Sequence, residues 1–135
     1  MQLKDMQGDH TREIPVAGQG TAATTDEWMG FKAPFRCVIT GVVWVPNANV
    51  TADPTNYFSV VVKNRGAAGA GSTAIATRAY SATNGVAFTP ETVSLSGTAA
   101  DLNVAAGDWI SVAKTVGGSG LAMPDGTVHV TFRAR

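Results

Sequence analysis

Cysteine is nearly missing from this chain. Cys37 stands alone among 135 residues, so no intramolecular disulfide and no multi-cysteine metal site can form. A single thiol in an apolar run reads as a small buried hydrophobe. Histidine is almost as scarce, with only His10 and His129. His10 falls in a charged N-terminal stretch. His129 alternates outward on the last patterned run, where a lone histidine reads as a solvated residue. Charge is sparse as well: 15% of residues are charged, and ten basic residues balance ten acidic ones. No basic field exists to hold a polyphosphate, so nucleic acid is not an expected partner. No stretch approaches the roughly 18 apolar residues of a membrane helix. The opening MQLKDMQGDH lacks the apolar centre of a secretory signal. The expectation is a chain made in a cytoplasm, with no membrane partner, that reaches the outside of a cell by a route such as lysis.

The motifs that carry chemistry are missing too. There is no G-x-S-x-G elbow, no H-E-x-x-H and no C-x-x-C. Gly18-Gln19-Gly20-Thr21-Ala22-Ala23 spells a dinucleotide fingerprint ending in Ala, but no parallel strand precedes it and no helical pattern follows. The glycines of 66–71 and 117–120 lack the Lys-Ser/Thr that closes a phosphate loop. Asp101, Asp108 and Asp125 can offer oxygens to calcium, yet their spacing fits no compact loop and each sits where Asp serves a turn. No catalytic residue, no cofactor and no metal ligand set is expected.

What the chain does have is β patterning. In Leu95–Val116, Leu102 and Val104 alternate with Asn103 before an Ala-Ala-Gly-Asp corner. Beyond the corner Trp109, Ser111 and Ala113 take one face, and Ile110, Val112 and Lys114 the other. Phe35–Val45 is rich in β-branched residues. By parity it groups Phe35, Cys37, Ile39, Val43 and Val45 against Val38, Val42 and Trp44, with Gly41 as a bulge or bend. Tyr57–Lys63 points Phe58, Val60 and Val62 one way. Thr73–Tyr80, a short strand through Val93 and Leu95, and Thr127–Arg135 complete the set. Asn64–Ser72 reads as a flexible loop, and Asn84-Gly85 as a turn. About eight strands without an amphipathic helix predict an all-β antiparallel sandwich, best matched by a jelly roll. An immunoglobulin-like order is the alternative, without its Cys–Trp–Cys pattern.

Residues 1–30 read as an N-terminal extended arm before a sandwich domain at 31–135. The arm holds many of the early charges and a short stretch, Arg12–Val16, whose Pro15 suits only a sheet edge. Trp28, Met29, Phe31 and Phe35 then follow closely. Two readings stand side by side. In one, the arm docks on a partner, with Arg12, Ile14, Trp28, Phe31 and Phe35 as its contact residues. In the other, the aromatics close one end of the sandwich.

From Thr40 onward the chain resembles the jelly-roll capsid decoration, or cement, proteins of tailed phages. The residues carrying this are Val43-Trp44-Val45-Pro46, then Ala52-Asp53-Pro54-Thr55-Asn56-Tyr57, then Arg65-Gly66-Ala67-Ala68-Gly69. Ser94 to Asp108, Gly118-Ser119-Gly120 and Pro124-Asp125-Gly126-Thr127-Val128 continue it in the same order. The resemblance implies a non-enzymatic virion protein on the outer surface of an icosahedral head. Its implied partners are the major capsid protein and two further copies of itself in a homotrimer. A carbohydrate- or receptor-binding module of a fibre is the alternative, with Trp28, Trp44, Tyr57, Tyr80 and Trp109 as stacking rings. A tail or neck subunit is a third.

Overall fold

The computed structural model describes residues 7–135; positions 1–6, the start of the expected arm, lie outside the described residues. Ten strands run in chain order: β1 (His10–Val16), β2 (Asp26–Lys32), β3 (Cys37–Pro46), β4 (Tyr57–Gly66), β5 (Thr73–Ala79), β6 (Glu91–Thr92), β7 (Ser94–Leu95), β8 (Asn103–Val104), β9 (Trp109–Gly117) and β10 (Gly126–Ala134). A 3-10 turn, Ala99–Leu102, precedes β8. One sheet has the order β1-β10-β3-β6, with β8 also pairing to β3; the other has β2-β9-β4-β5-β7. Every pairing is antiparallel.

The pairing is nested. β1 pairs β10, β2 pairs β9, β3 pairs β8, and β4 pairs β5. Folding a long antiparallel ribbon across two facing sheets gives this order, which is the jelly roll. The strands exceed the expected eight because β2 lies mostly in the stretch read as arm, and because the short strand through Val93 and Leu95 is divided into two-residue β6 and β7. Between β6 and β7 the chain crosses from one sheet to the other at Val93, which is fully buried and donates its N–H to the Val42 carbonyl at 3.0 Å.

The arm is the main departure from the sequence reading. Residues 10–30 are not an appendage: β1 is an edge strand of the first sheet and β2 an edge strand of the second. The sandwich therefore starts before residue 31. Pro15 does sit at a sheet edge, since β1 pairs only with β10. A chain cut at residue 30 loses a strand from each sheet, so such a truncation cannot probe an arm.

Two bulges explain where parity misleads. Thr131 pairs Gly41 and Phe132 pairs Ile39, leaving Thr40 as the extra residue of β3. The facing direction reverses there. Cys37 and Ile39 before the bulge, and Val42 and Trp44 after it, all enter the core at 2% exposure or less. In β2, Met29 pairs Ser111 and Phe31 pairs Ile110, leaving Gly30 between them. A Cβ on Gly30 would lie 2.8 Å from the Ile110 carbonyl oxygen and 2.5 Å from the Ile14 Cδ1 atom of the other sheet, so the two sheets touch here and the backbone leaves room only for glycine.

The core is crossed by a polar bridge. Trp44 donates its indole N–H to the Tyr80 hydroxyl at 3.0 Å, and Tyr80 donates to Glu91 Oε2 at 2.7 Å. Glu91 Oε1 accepts from Arg78 at 2.6 and 2.9 Å, and the Arg78 guanidinium lies 4.0 Å from the Tyr80 ring centre. Burial, the bond to Glu91 and the charge of Glu91 push the Tyr80 phenol well above its ordinary pKa, so it stays a donor. The four residues tie the end of β3 and β6 in one sheet to β5 in the other.

Lys114 is buried on the inward face of β9 beside Val112. Its ammonium donates to the carbonyls of Thr21 at 2.9 Å, Ala22 at 3.1 Å and Gln19 at 3.5 Å. Desolvation lowers its pKa against the raising effect of Asp26. The lysine clamps the connection between β1 and β2.

Tyr80→Phe leaves the buried Trp44 N–H without an acceptor. The expected cost is about 1–3 kcal/mol, read as a fall of several degrees in Tm by thermal unfolding. An unchanged Tm would contradict the bridge.

Candidate functional site

The five expected contact residues do not form one surface. Ile14 and Phe35 are core residues, 1% and 7% exposed, and Trp28 and Phe31 pack against the core. Phe31 and Phe35 meet at Phe132, with ring centres 5.8 and 5.9 Å away, and His10 stacks on the same ring at 5.6 Å. These rings close one end of the sandwich. The cause is the strand status of 10–32: once β1 and β2 complete the sheets, Ile14, Val16, Trp28 and Phe31 fall on their inward faces, and of the large apolar side chains there only Met29 is turned outward. Arg12 alone is exposed, on edge strand β1.

The outer face of the second sheet holds a charge cluster that the sequence reading missed. Glu27 accepts from Arg65 twice, at 2.6 and 2.7 Å, and from the Ser111 hydroxyl at 2.7 Å, with Lys63 at 3.8 Å. Partial burial alone would raise the Glu27 pKa. The bonds from Arg65 and Ser111 and the charges of Arg65 and Lys63 outweigh it, and the carboxyl lies below its ordinary value. The same Arg65 donates to the Gly71 carbonyl at 2.9 Å, and Gly71 N–H returns a bond to the Arg65 carbonyl at 2.8 Å. Asn64 binds Asp108 at 2.9 Å and accepts from Gly66 N–H at 2.8 Å. The 64–72 loop, flexible by composition, is pinned at both ends. Its acidic anchor, Glu27, comes from a segment that composition assigned to the arm, so nothing in the local sequence marked it.

Among the described residues three large apolar side chains stand exposed: Met29, Val86 and Phe88 at 56, 57 and 74%. Met29 borders a hollow of about 270 Å³ with Trp109, Ala67, Ala68 and Gly69. A wider groove of about 590 Å³ lies along β5 and β7, lined by hydroxyl groups and Asp101, which accepts from Ser96 at 2.6 Å. Among the described residues no three His, Cys, Asp or Glu converge as a metal set. The candidate sugar-stacking rings do not form an exposed platform. Trp44 and Tyr80 are fully buried, Tyr57 and Trp28 pack on the core, and the Lys32 ammonium lies 5.9 Å from the Trp109 ring.

No protein-family model matches the chain, and no curated protein matches it. Among solved structures, it is similar to a chain in the structure of infectious bursal disease virus, Gx strain, at 12% identity and a TM-score of 0.44. The match covers 95% of this chain and 33% of that one, so this chain spans about a third of its length. A likeness at that score carries no argument about function.

Because the folded Glu27 pKa lies below 4.5, its contribution to stability is fully present above that pH and fades as pH falls through the folded value. Glu27→Gln is expected to be less stable than the parent at pH 7, with the gap narrowing below about pH 4.5. Thermal unfolding of both proteins against pH checks this; parallel curves would contradict it.

Proposed function

We propose that this protein is a structural subunit of a tailed-phage particle, bound as a homotrimer to the outer surface of the assembled head and bracing neighbouring major capsid subunits. It acts without chemistry, cofactor or metal. The observation that supports this most is where the polar side chains go. Arg65, Arg78, Lys114, Glu27 and Glu91 each bind another strand or loop of the same chain. No fully buried side-chain nitrogen or oxygen among the described residues lacks a hydrogen-bond partner. Groups that could be gathered for catalysis serve to hold loops and edges in place.

A rigid brick suits bracing. A loop already ordered in the free protein loses little entropy when it docks. Three linked copies add avidity to a weak single contact. The balanced net charge makes binding less sensitive to salt. Arg12 on the open edge of β1 is the accessible member of the expected contact set. The sugar-binding alternative needs exposed rings set side by side, and the full burial of Trp44 and Tyr80 gives it less support.

Co-sedimentation with expanded heads lacking the protein tests the reading. Saturable binding is expected, with occupancy in multiples of three. Arg12→Glu is expected to weaken it several-fold while leaving Tm unchanged, as for a charge at an interface rim. No binding to heads, together with reproducible hits on a glycan array, would favour the alternative.

A further inference from the structure

Phe88 has a backbone that bulky residues avoid. Its φ is 61°, and it is the one non-glycine residue with positive φ among those described. Such a conformation costs roughly 1–2 kcal/mol for an L-residue. The side chain is also the most exposed of the large apolar ones, at 74%. The fold holds it there. Phe88 N–H donates to the Pro46 carbonyl at 2.8 Å, and Thr89 N–H to the Val86 carbonyl at 3.2 Å. Ala87 N–H donates to Asn49 Oδ1 at 2.8 Å, and Val50 and Gly85 exchange bonds at 2.8 and 3.0 Å. A strained residue with a solvated ring, fixed by four sets of bonds, is a built projection. Asn84-Gly85, the turn expected from sequence, is not where the chain reverses: Gly85 has no positive φ and packs on the Tyr80 ring, and the left-handed corner falls three residues later.

The hollow at Met29, Trp109 and Ala67–Gly69 lies at the opposite end of the sandwich. β4 starts near the 80–90 loop, where Tyr80 N–H binds the Phe58 carbonyl, and ends at Gly66 opposite Trp109. The hollow is preformed, because Arg65 pins its loop to Glu27. The hollow, about 270 Å³ and open to solvent, presents Met29, Trp109 and the small residues Ala67, Ala68 and Gly69, apolar surfaces against which a phenyl ring can lie.

The two ends also differ in charge. The loops 47–56, 80–90 and 117–125 at the Phe88 end contain Asp53 and Asp125 and no lysine or arginine. Lys32, Arg36 and Arg135 are exposed at the other end, with Lys32 over Trp109 at the rim of the hollow. Asp108, bound to Asn64, and Asp9, paired with Arg133, are there too, and the basic groups outnumber them.

We propose that this protein self-associates head to tail, with Phe88 and Val86 of one copy seated in the Met29–Trp109–Ala68 hollow of the next. All three large apolar side chains exposed among the described residues are then covered by one contact. Such a contact is heterologous, and copies close into a ring where the rotation between them allows. The proposal deepens the trimer reading above and rests on it only for closure at three copies. The free protein tests the contact, whereas head binding tests that reading, so either can fail alone.

The experiment is mass measurement of the free protein across concentration, by light scattering or sedimentation. Wild type is expected to associate in roughly the micromolar-to-millimolar range of small interfaces. Phe88→Gly removes the projection and the backbone strain together. It is expected to lower the association constant roughly 10- to 100-fold while Tm stays equal or rises. Ala68→Trp fills the hollow and is expected to block association likewise. The deciding sample mixes the two. Phe88→Gly retains its hollow and Ala68→Trp its projection, so the mixture is expected to form a one-to-one dimer and nothing larger. A wild type that stays monomeric throughout, a Phe88→Gly protein that associates as wild type does, or folded variants that fail to pair would each overturn the proposal.

Discussion

A phenol held between an indole and a carboxylate joins the two sheets of this molecule. Tyr80 receives the Trp44 N–H and donates to Glu91, whose other oxygen holds Arg78. In low dielectric such a chain is costly if any member is missing and strongly specifying when all are present. It fixes the register of two-residue β6 against β3, a pairing too short to be secured by its own ladder. It also sets the root of the 80–90 loop, because Gly85 packs directly on the Tyr80 ring. The projection of Phe88 thus begins from a rigid base in the core.

The same device recurs at the periphery. Glu27 and Arg65 bind β2 to the end of β4 across the intervening β9. Lys114 reaches from the inner face of β9 to three carbonyls of the β1–β2 connection. Asp53 caps its own turn by accepting from Thr55 and Asn56 N–H at 2.8 Å each, which lowers its pKa. Charges are few in this chain, and most of those named here stop a loop from moving. A surface of pre-ordered loops suits a protein whose work is contact.

Much of the architecture could be read from the residues. Inward faces of β4, β9 and β10 follow strict alternation, and the structure buries Phe58, Val60, Val62, Ile110, Val112, Val128, Val130 and Phe132 accordingly. The Ala-Ala-Gly-Asp corner is as its residues require: Gly107 has φ 88°, and Asp108 Oδ2 accepts from Ala105 N–H at 3.1 Å. What alternation could not supply was any feature set by distant partners. The bulge at Thr40 reverses β3 and brings Trp44 inward, while β1 and β2 look like an arm because their pairing partners lie about a hundred residues away. Glu27, Lys114 and Phe88 are ordinary letters locally. Their roles arise from which carbonyl, guanidinium or turn the fold places beside them.

The central claim is that the contact surfaces of this protein are rigid before any partner arrives. Amide hydrogen exchange of the free protein tests it most directly, since exchange reports local opening. The account predicts slow exchange at Gly66, Gly71, Gly85, Ala87 and Phe88, whose N–H groups are all bonded within their loops or to neighbouring ones. Exchange at these positions as fast as in an unfolded peptide would contradict it.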